Sequence, residues 1–409
     1  MIDAYEIREN FSILSELDES GKPYIYLDNA ATSLTPNVVV DRIADYYKHL
    51  NANIHRSFYK RAIQTEKEVE LASIKIANLI NADPSEIIYT KNASTASNML
   101  VQLLVQNDIV KSGDTVIVSL EEHHSNFLPW LYLQEKGINV KTVSLNEEYQ
   151  IDLDQLESIL KENKTKFVVT GYVSNVTGAI HSVTDIIRLA HSFEAKCIID
   201  VTQAIPHFKI DVKNLDVDYI FFSGHKILGP TGIGVLFGKK EYLAKIKPYM
   251  FGGGMVKNVK HNQVEMADIP HKFEVGTPDI ANVLGLGAAA EFIQKIGYEN
   301  IYEYEEGLKS YLHDKIKKVS HIRTYGPRQL INKIDSLSFS CDVISNEEIC
   351  FILDKYYNIA IRSGKLCAQP LVDQLNPEGV CRISCYFYNT CDEINTLCSA
   401  LDKIIKSYL

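Results

Sequence analysis

Five polar clusters in this chain stand directly behind apolar runs, where side chains that carry protons or form covalent bonds would sit at strand ends. One is Ser223-Gly224-His225-Lys226, after the run 217–222. A lysine amine beside a serine and a histidine is a candidate to hold an aldehyde as a Schiff base, with hydroxyl and imidazole gripping a phosphate on the same ligand. A lone lysine is ordinarily a solvated surface group, so the tetrapeptide takes its meaning from the other four clusters.

Asp200 closes the run 197–200, which should be buried, and an unpaired carboxylate there would be too costly to persist. Its partner is either a protonated ring nitrogen or an Arg, Lys or backbone N–H, and Gln203 can reach the same ligand. The run 115–119 leads to Glu121-Glu122-His123-His124-Ser125-Asn126, offering an imidazole for ring stacking or proton transfer, or one simply solvated at the rim. The run 87–90 leads to a small-residue turn in which backbone N–H groups around Ser94 and Thr95 either hold phosphate or form a capped turn. The run 166–172 delivers Ser174-Asn175-Val176-Thr177-Gly178, where Asn175 is a neutral donor for a carboxylate or ring oxygen, or a turn residue. An acid for a pyridinium, a histidine to stack, groups for phosphate and a lysine for an aldehyde together describe pyridoxal 5′-phosphate, an electron sink for amino-acid chemistry.

The elements that must position these groups follow from the same runs. Strand-like segments at 87–90, 115–119, 166–172, 197–200, 219–222 and 234–237 alternate with helical patterns at 65–80, 97–106, 153–161 and 183–193, which predicts an α/β fold with a mostly parallel sheet sandwiched by helices. Thr184 or Asp185 is the candidate cap of the last helix. Beyond residue 281 helices at 285–296, 301–319 and 392–407 surround strands near 336–340 and 380–386, the texture of a smaller α+β C-terminal domain. The expected division is an N-terminal segment 1–20 packing with the small domain, a large domain 21–291 and a small domain 292–409. Gly285 to Ala290 formally matches a dinucleotide-binding turn, but it lies inside a helical pattern without a preceding strand, so tight helix packing is expected instead.

The formal charge of −10 argues against a nucleic-acid surface and favours small molecules and protein partners. No apolar stretch reaches bilayer length, and the acidic residues of 1–17 are unlike a leader, so a cytoplasmic location without membrane contact is expected. The eight cysteines contain no CxxC pair and signal no metal site; all but Cys367 fit as buried residues or free thiols, Cys381 and Cys385 included.

Ordered stretches along most of the chain resemble a known family. They are Tyr26-Leu27-Asp28-Asn29-Ala30-Ala31, His55-Arg56, Glu122 to Asn126, Val173 to Gly178, Asp200 to Gln203, and Ser223 to Lys226 with Gly229-Pro230-Thr231-Gly232. Phe273 to Pro278, Ile361 to Ala368, and Cys381-Arg382-Ile383-Ser384 with Tyr388-Asn389-Thr390 complete the set. The sequence resembles the class V aminotransferase-like, fold-type I pyridoxal-phosphate enzymes, and within them the SUF-type (group II) cysteine desulfurases. The resemblance implies that Lys226 carries the cofactor and moves protons, His123 stacks on its ring, Asp200 pairs with the ring nitrogen and Gln203 meets the ring hydroxyl. It further implies that Ser94, Thr95, Ser223, His225 and, from the other subunit of a homodimer, Thr277 hold the phosphate, and that Asn175 and Arg382 grip the substrate carboxylate. Cys367 is implied to be the nucleophile that takes sulfur from L-cysteine as a persulfide, leaving L-alanine, before passing it to a sulfur-acceptor protein of iron–sulfur cluster assembly.

Gly364 gives the Cys367 segment flexibility, and Arg362 and Lys365 are cations expected to favour its thiolate. Two departures from the family pattern stand out: Ala93-Ser94-Thr95-Ala96 replaces Thr-Thr-Glu-Gly at the phosphate turn, and Lys365-Leu366 replaces a common His pair. Selenocysteine lyase shares the scaffold and the loop cysteine, whereas an aminotransferase has no use for Cys367. A non-catalytic carrier or scaffold would not need Lys226, Asp200, Arg382 and Cys367 together.

Overall fold

The computed structural model describes residues 2–409 apart from 56 and 57, so Arg56 of the His55-Arg56 match lies outside the described residues. Fifteen strands are described: β1 Ile25–Tyr26, β2 Ile87–Thr90, β3 Thr115–Ser119, β4 Asn139–Val143, β5 Thr165–Gly171, β6 Lys196–Asp200, β7 Tyr219–Ser223, β8 Gly234–Gly238, β9 Val256–Lys260, β10 Gln263–Met266, β11 Ile322–Tyr325, β12 Ser336–Cys341, β13 Ile359–Ala360, β14 Arg362–Gly364 and β15 Val380–Ser384. Seven form one sheet in the order β2-β8-β7-β6-β5-β3-β4, in which β8 alone runs against its neighbours. This is the mostly parallel sheet that the alternating pattern predicts.

Period-two alternation explains why its strands read as unbroken apolar runs. Ile117, Val168, Ile199 and Ile220 enter the core on one face, while Val116, Val118, Val169, Ile198 and Phe221 enter the core on the other. With both faces covered by helices, the strands β3, β6, β7 and β8 are buried between their ends, whereas the edge strand β4 exposes Lys141 and Thr142. A second, antiparallel sheet of order β11-β12-β15-β14 packs against Asn346–Tyr357 and Cys391–Tyr408 around its own core. The two halves are stitched together by β1, which pairs in parallel with β13, and by Asp28, which bridges to Ser384. The N-terminal segment contacts the C-terminal helix through Arg8–Glu393 at 2.8 Å and Tyr5–Asp392 at 2.7 Å, while Phe11 packs on both Phe292 and Tyr388.

The helix Val183–Ser192 is preceded by Ser182 at the cap position, without a side-chain cap bond. Thr184 and Asp185 therefore lie within its first turn, where the Asp185 carboxylate still faces the favourable end of the helix dipole. The glycine-rich stretch lies within the helix Ile280–Ile296, as expected: a Cβ on Gly287 would stand 2.6 Å from the Ala72 Cβ, so close helix packing is what demands glycine there.

Candidate active site

The strand ends open into a cavity of about 290 Å³ lined from both halves of the molecule. Of the expected residues, Ser94, His123, Asn175, Asp200, Gln203, Ser223, His225, Lys226, Cys367 and Arg382 all line it. Thr95 does not, because its N–H and hydroxyl both bind the Asn92 carboxamide oxygen, at 2.8 and 3.0 Å. Thr277 lies outside this chain's cavity, exposed and 3.4 Å from Asn53.

Lys226 follows β7 and donates to the Ala30 carbonyl, which also accepts from the Gln203 amide at 2.8 Å. Burial, reinforced by the nearby Arg382 charge, brings its amine down to about 7. Asp200, at the end of β6, accepts the Thr202 N–H at 2.8 Å, and burial pushes its carboxyl up to about 6. Here the cationic or proton-bearing partner demanded by the sequence is met only in part, by a backbone donor and the more distant Lys226.

Ser223 accepts the Ala93 N–H at 2.8 Å, docking the strand end onto the start of the helix Ala93–Gln106. In that first turn Thr95 N–H binds Asn92 Oδ1 and Ala96 N–H binds the Asn92 carbonyl, while Ser94, whose N–H is one of the helix's first-turn donors, lines the cavity. The His225 Nδ1 sits 3.1 Å from the Thr32 hydroxyl, and burial holds the ring down at about 4, neutral near pH 7.

His123 caps the helix His124–Leu131 with its ring: the Ser125 N–H donates to Nδ1 at 3.1 Å. A neutral ring then carries its proton on Nε2, and burial, with Lys226 nearby, holds it near 4. Beneath it Glu122 accepts from Gly171 N–H and Asn126 Nδ2, both at 2.6 Å, while burial and the adjacent Glu121 keep its carboxyl well above the usual range.

Arg382, on β15, is buried and spans the two halves. Its Nη1 donates to the Asn175 carbonyl at 2.8 Å and its Nη2 to Asp28 at 3.0 Å, yet its Nε is buried with no partner among the described residues. An unpaired donor on a buried guanidinium marks a place for an anion. Asn175 points elsewhere than expected, giving its amide hydrogens to the Leu366 carbonyl at 2.8 Å.

Cys367 is exposed, in a short turn between β14 and the helix Gln369–Leu375. Leu366 and Cys367 both have left-handed backbones, at φ 51° and 53°, a conformation that is costly away from glycine and persists only where surroundings enforce it. The enforcement is visible: Asn175 holds the Leu366 carbonyl, the His124 N–H holds the Cys367 carbonyl at 2.6 Å, and the Gln369 N–H binds His124 Nε2 at 3.1 Å. Leu366 itself is buried against Val176, Leu371 and Val380. Of the nearby cations, Arg362 lines the cavity together with Cys367 and contacts Asp28 at 3.4 Å, while Lys365 is engaged by Asp373 and the Pro377 carbonyl.

Asp28, Glu122 and His124 are functional neighbours whose roles the sequence reading left unassigned. Asp28 stands just behind the apolar run 24–27, so the strand-end rule that found Asp200 would have found it too.

A mostly parallel sheet whose strand ends bring a buried lysine, an aspartate and two histidines into one cavity forms an α/β enzyme-like site, and the chain's similarity to known proteins narrows its class. The family described as Aminotransferase class-V matches residues 25–397, and the chain belongs to it. A probable cysteine desulfurase of Synechocystis is 38% identical over 408 residues, covering 99% of this chain and 96% of its own. A cysteine desulfurase of Escherichia coli O8 is 34% identical over 401 residues, 98% of this chain and 97% of its own. Among solved structures, the apo cysteine desulfurase of Thermococcus onnurineus superposes with a TM-score of 0.93 at 31% identity, covering 100% of this chain and 99% of its own. An S-sulfonic acid form of an Escherichia coli cysteine desulfurase gives 0.90 at 32% identity, with both chains covered in full at 100%.

Proposed function

We infer that the chain is a pyridoxal-phosphate-dependent cysteine desulfurase, converting L-cysteine to L-alanine and taking the sulfur onto Cys367. The observation that carries this reading is the placement of Cys367: an exposed thiol, locked in a left-handed turn at the mouth of the cavity whose floor holds Lys226. An aminotransferase needs the floor but not this thiol.

The donor set fits the cofactor. Lys226 would hold it, Asp200 would face its ring nitrogen, His123 its ring, and Ser223, His225 and the Ser94 N–H its phosphate, with Thr277 of a second copy completing the cradle. Pyridoxal phosphate, when bound, supplies the electron sink that weakens the bonds around the substrate's α-carbon. Arg382 supplies the guanidinium for the substrate carboxylate, held in orientation by Asp28 and by the Asn175 carbonyl. The Nζ of Lys226, brought down to about 7, is partly neutral at physiological pH and takes and returns the α-proton. His123 stays neutral, with its Nε2 proton available as a donor. Cys367 Sγ forms a bond to the substrate sulfur as the carbon–sulfur bond breaks; in sum L-cysteine and a thiol become L-alanine and a persulfide. An exposed persulfide is accessible to a second protein, which supports delivery to an acceptor of iron–sulfur cluster assembly, and the short, fastened loop supports the group II subtype.

A homodimer is supported by exposed Phe251 and Val275, on neighbouring segments joined by the Gly276 N–H to Gly253 carbonyl bond, beside Thr277. The contacts of Tyr5 and Arg8 with the C-terminal helix support a segment 1–20 that packs with a small domain 292–409 against a large domain 21–291.

The purified protein is expected to be yellow and to release alanine and persulfide sulfur in equal amounts from L-cysteine. The variant Cys367→Ala is expected to keep the chromophore and lose persulfide formation; unchanged persulfide in that variant, read by thiol-specific labelling, overturns the assignment.

A further inference from the structure

A pair of thiols lies behind the strand that carries Arg382. Cys350, in the helix Asn346–Tyr357, has its sulfur 3.9 Å from that of Cys381 on β15. Cys381 is fully buried and directs its S–H to the Asn346 carbonyl at 3.3 Å, so its sulfur is held over the first turn of the helix that carries Cys350. Cys350 is only partly buried. One residue is thus partly open to solvent and the other is enclosed beside it.

We propose that Cys350 and Cys381 are a redox modification site, closing to a disulfide under peroxide and thereby weakening the grip of Arg382 on the amino-acid carboxylate. In the first step the Cys350 thiolate attacks one peroxide oxygen, the O–O bond breaks, and Cys350 becomes a sulfenic acid while hydroxide leaves. The Cys381 sulfur then attacks the Cys350 sulfur, its thiol proton leaves with the departing hydroxyl as water, and the S–S bond forms. Two thiols and one peroxide give one disulfide and two waters, and an added dithiol reverses the change.

The link to the site is covalent. Cys381 immediately precedes Arg382 and pairs in register with Ser363, which lies on the strand leading to Cys367. A disulfide needs its sulfurs about 2.05 Å apart. Drawing the pair together pulls β15 towards the helix on the face opposite Arg382, whose guanidinium is set in the cavity by its bonds to Asn175 and Asp28. The coupling rests on the carboxylate role of Arg382 given above; the cross-link does not.

The test uses holoenzyme carrying Cys367→Ala, so that oxidation of the nucleophile cannot intervene. After peroxide and alkylation, peptide mass mapping is expected to show a dithiol-reversible link between the Cys350 and Cys381 peptides, with a chain lighter by two hydrogens. The affinity for L-alanine, read from the chromophore, is expected to fall severalfold, and adding Cys350→Ser is expected to abolish both changes. If Cys350 and Cys381 stay reduced, or pair with other cysteines, the site is overturned. If the link forms and alanine affinity is unchanged, the coupling is overturned. If L-alanine never perturbs the chromophore even before oxidation, the failure belongs to the carboxylate role of Arg382 and overturns the coupling with it, while the mass map still decides the cross-link.

Discussion

The floor of the cavity and its mouth solve opposite problems. At the floor, Asp200, Ser223 and Lys226 end or follow strands of a sheet dry on both faces, and burial moves Lys226 down to about 7 and Asp200 up to about 6. At the mouth, Cys367 is left exposed, and its position is set by backbone bonds across a turn that two non-glycine residues occupy in a left-handed conformation. The group proposed to stay with the cofactor is tuned by withholding water. The group proposed to hand on its cargo is kept in water and held by main-chain carbonyls.

Breaking the floor should have the largest effect. Lys226→Ala is expected to lower alanine release by at least about 10⁴-fold, the scale seen when a covalent catalytic group is removed. Borohydride reduction followed by mass analysis should find no cofactor fixed to the chain, and a fixed adduct at residue 226 would show that the floor lies elsewhere. Breaking the mouth should be gentler and separable. Leu366→Ala removes a buried side chain that holds the turn, so stability should fall by roughly 2–3 kcal/mol in denaturant unfolding. Persulfide formation should drop severalfold while the chromophore stays intact, and a loss of the chromophore would mean that mouth and floor are not independent.

The smallest effect sharpens the electrostatic contrast. Because folding lowers the Lys226 amine from its ordinary 10.5 to about 7, the unfolded chain binds more protons between those values, and stability rises with pH across that window. Cofactor-free Lys226→Met should therefore be more stable than the cofactor-free parent near pH 7, with the difference narrowing by on the order of 1 kcal/mol per pH unit towards pH 10. Asp200 has the opposite sign: folding raises its carboxyl from 3.8 to about 6, so its contribution declines as pH rises through that lower window. Chemical unfolding at stepped pH checks both, and a difference that does not narrow above pH 7 would remove burial as the cause of the Lys226 shift.

The floor was more legible in the sequence than the mouth. Each floor residue follows a buried run of three or more apolar positions, and continuous apolar runs ending in polar clusters are what a doubly covered parallel sheet must produce. Strands of two or three residues such as β1, β13 and β14 carry no period at all, and the hairpin β9–β10 is exposed almost throughout, so no hydrophobic alternation marked it. Arg382 and Asp28 stand 354 residues apart in the chain, and only the folded pairing of the two halves brings them together. Lys365 misled for a related reason: a cation two residues from a thiol looks like its partner, whereas Asp373 and Pro377 draw the ammonium away.

The turn at Cys367 is gripped at the carbonyls of residues 366 and 367, atoms that every amino acid possesses. Two kinds of anchor therefore share one turn: the buried Leu366 side chain fills a pocket that only some residues fit, while the carbonyl grips ask nothing of the residue type. The sulfur's address is written partly in letters, at Leu366, and partly in the main chain.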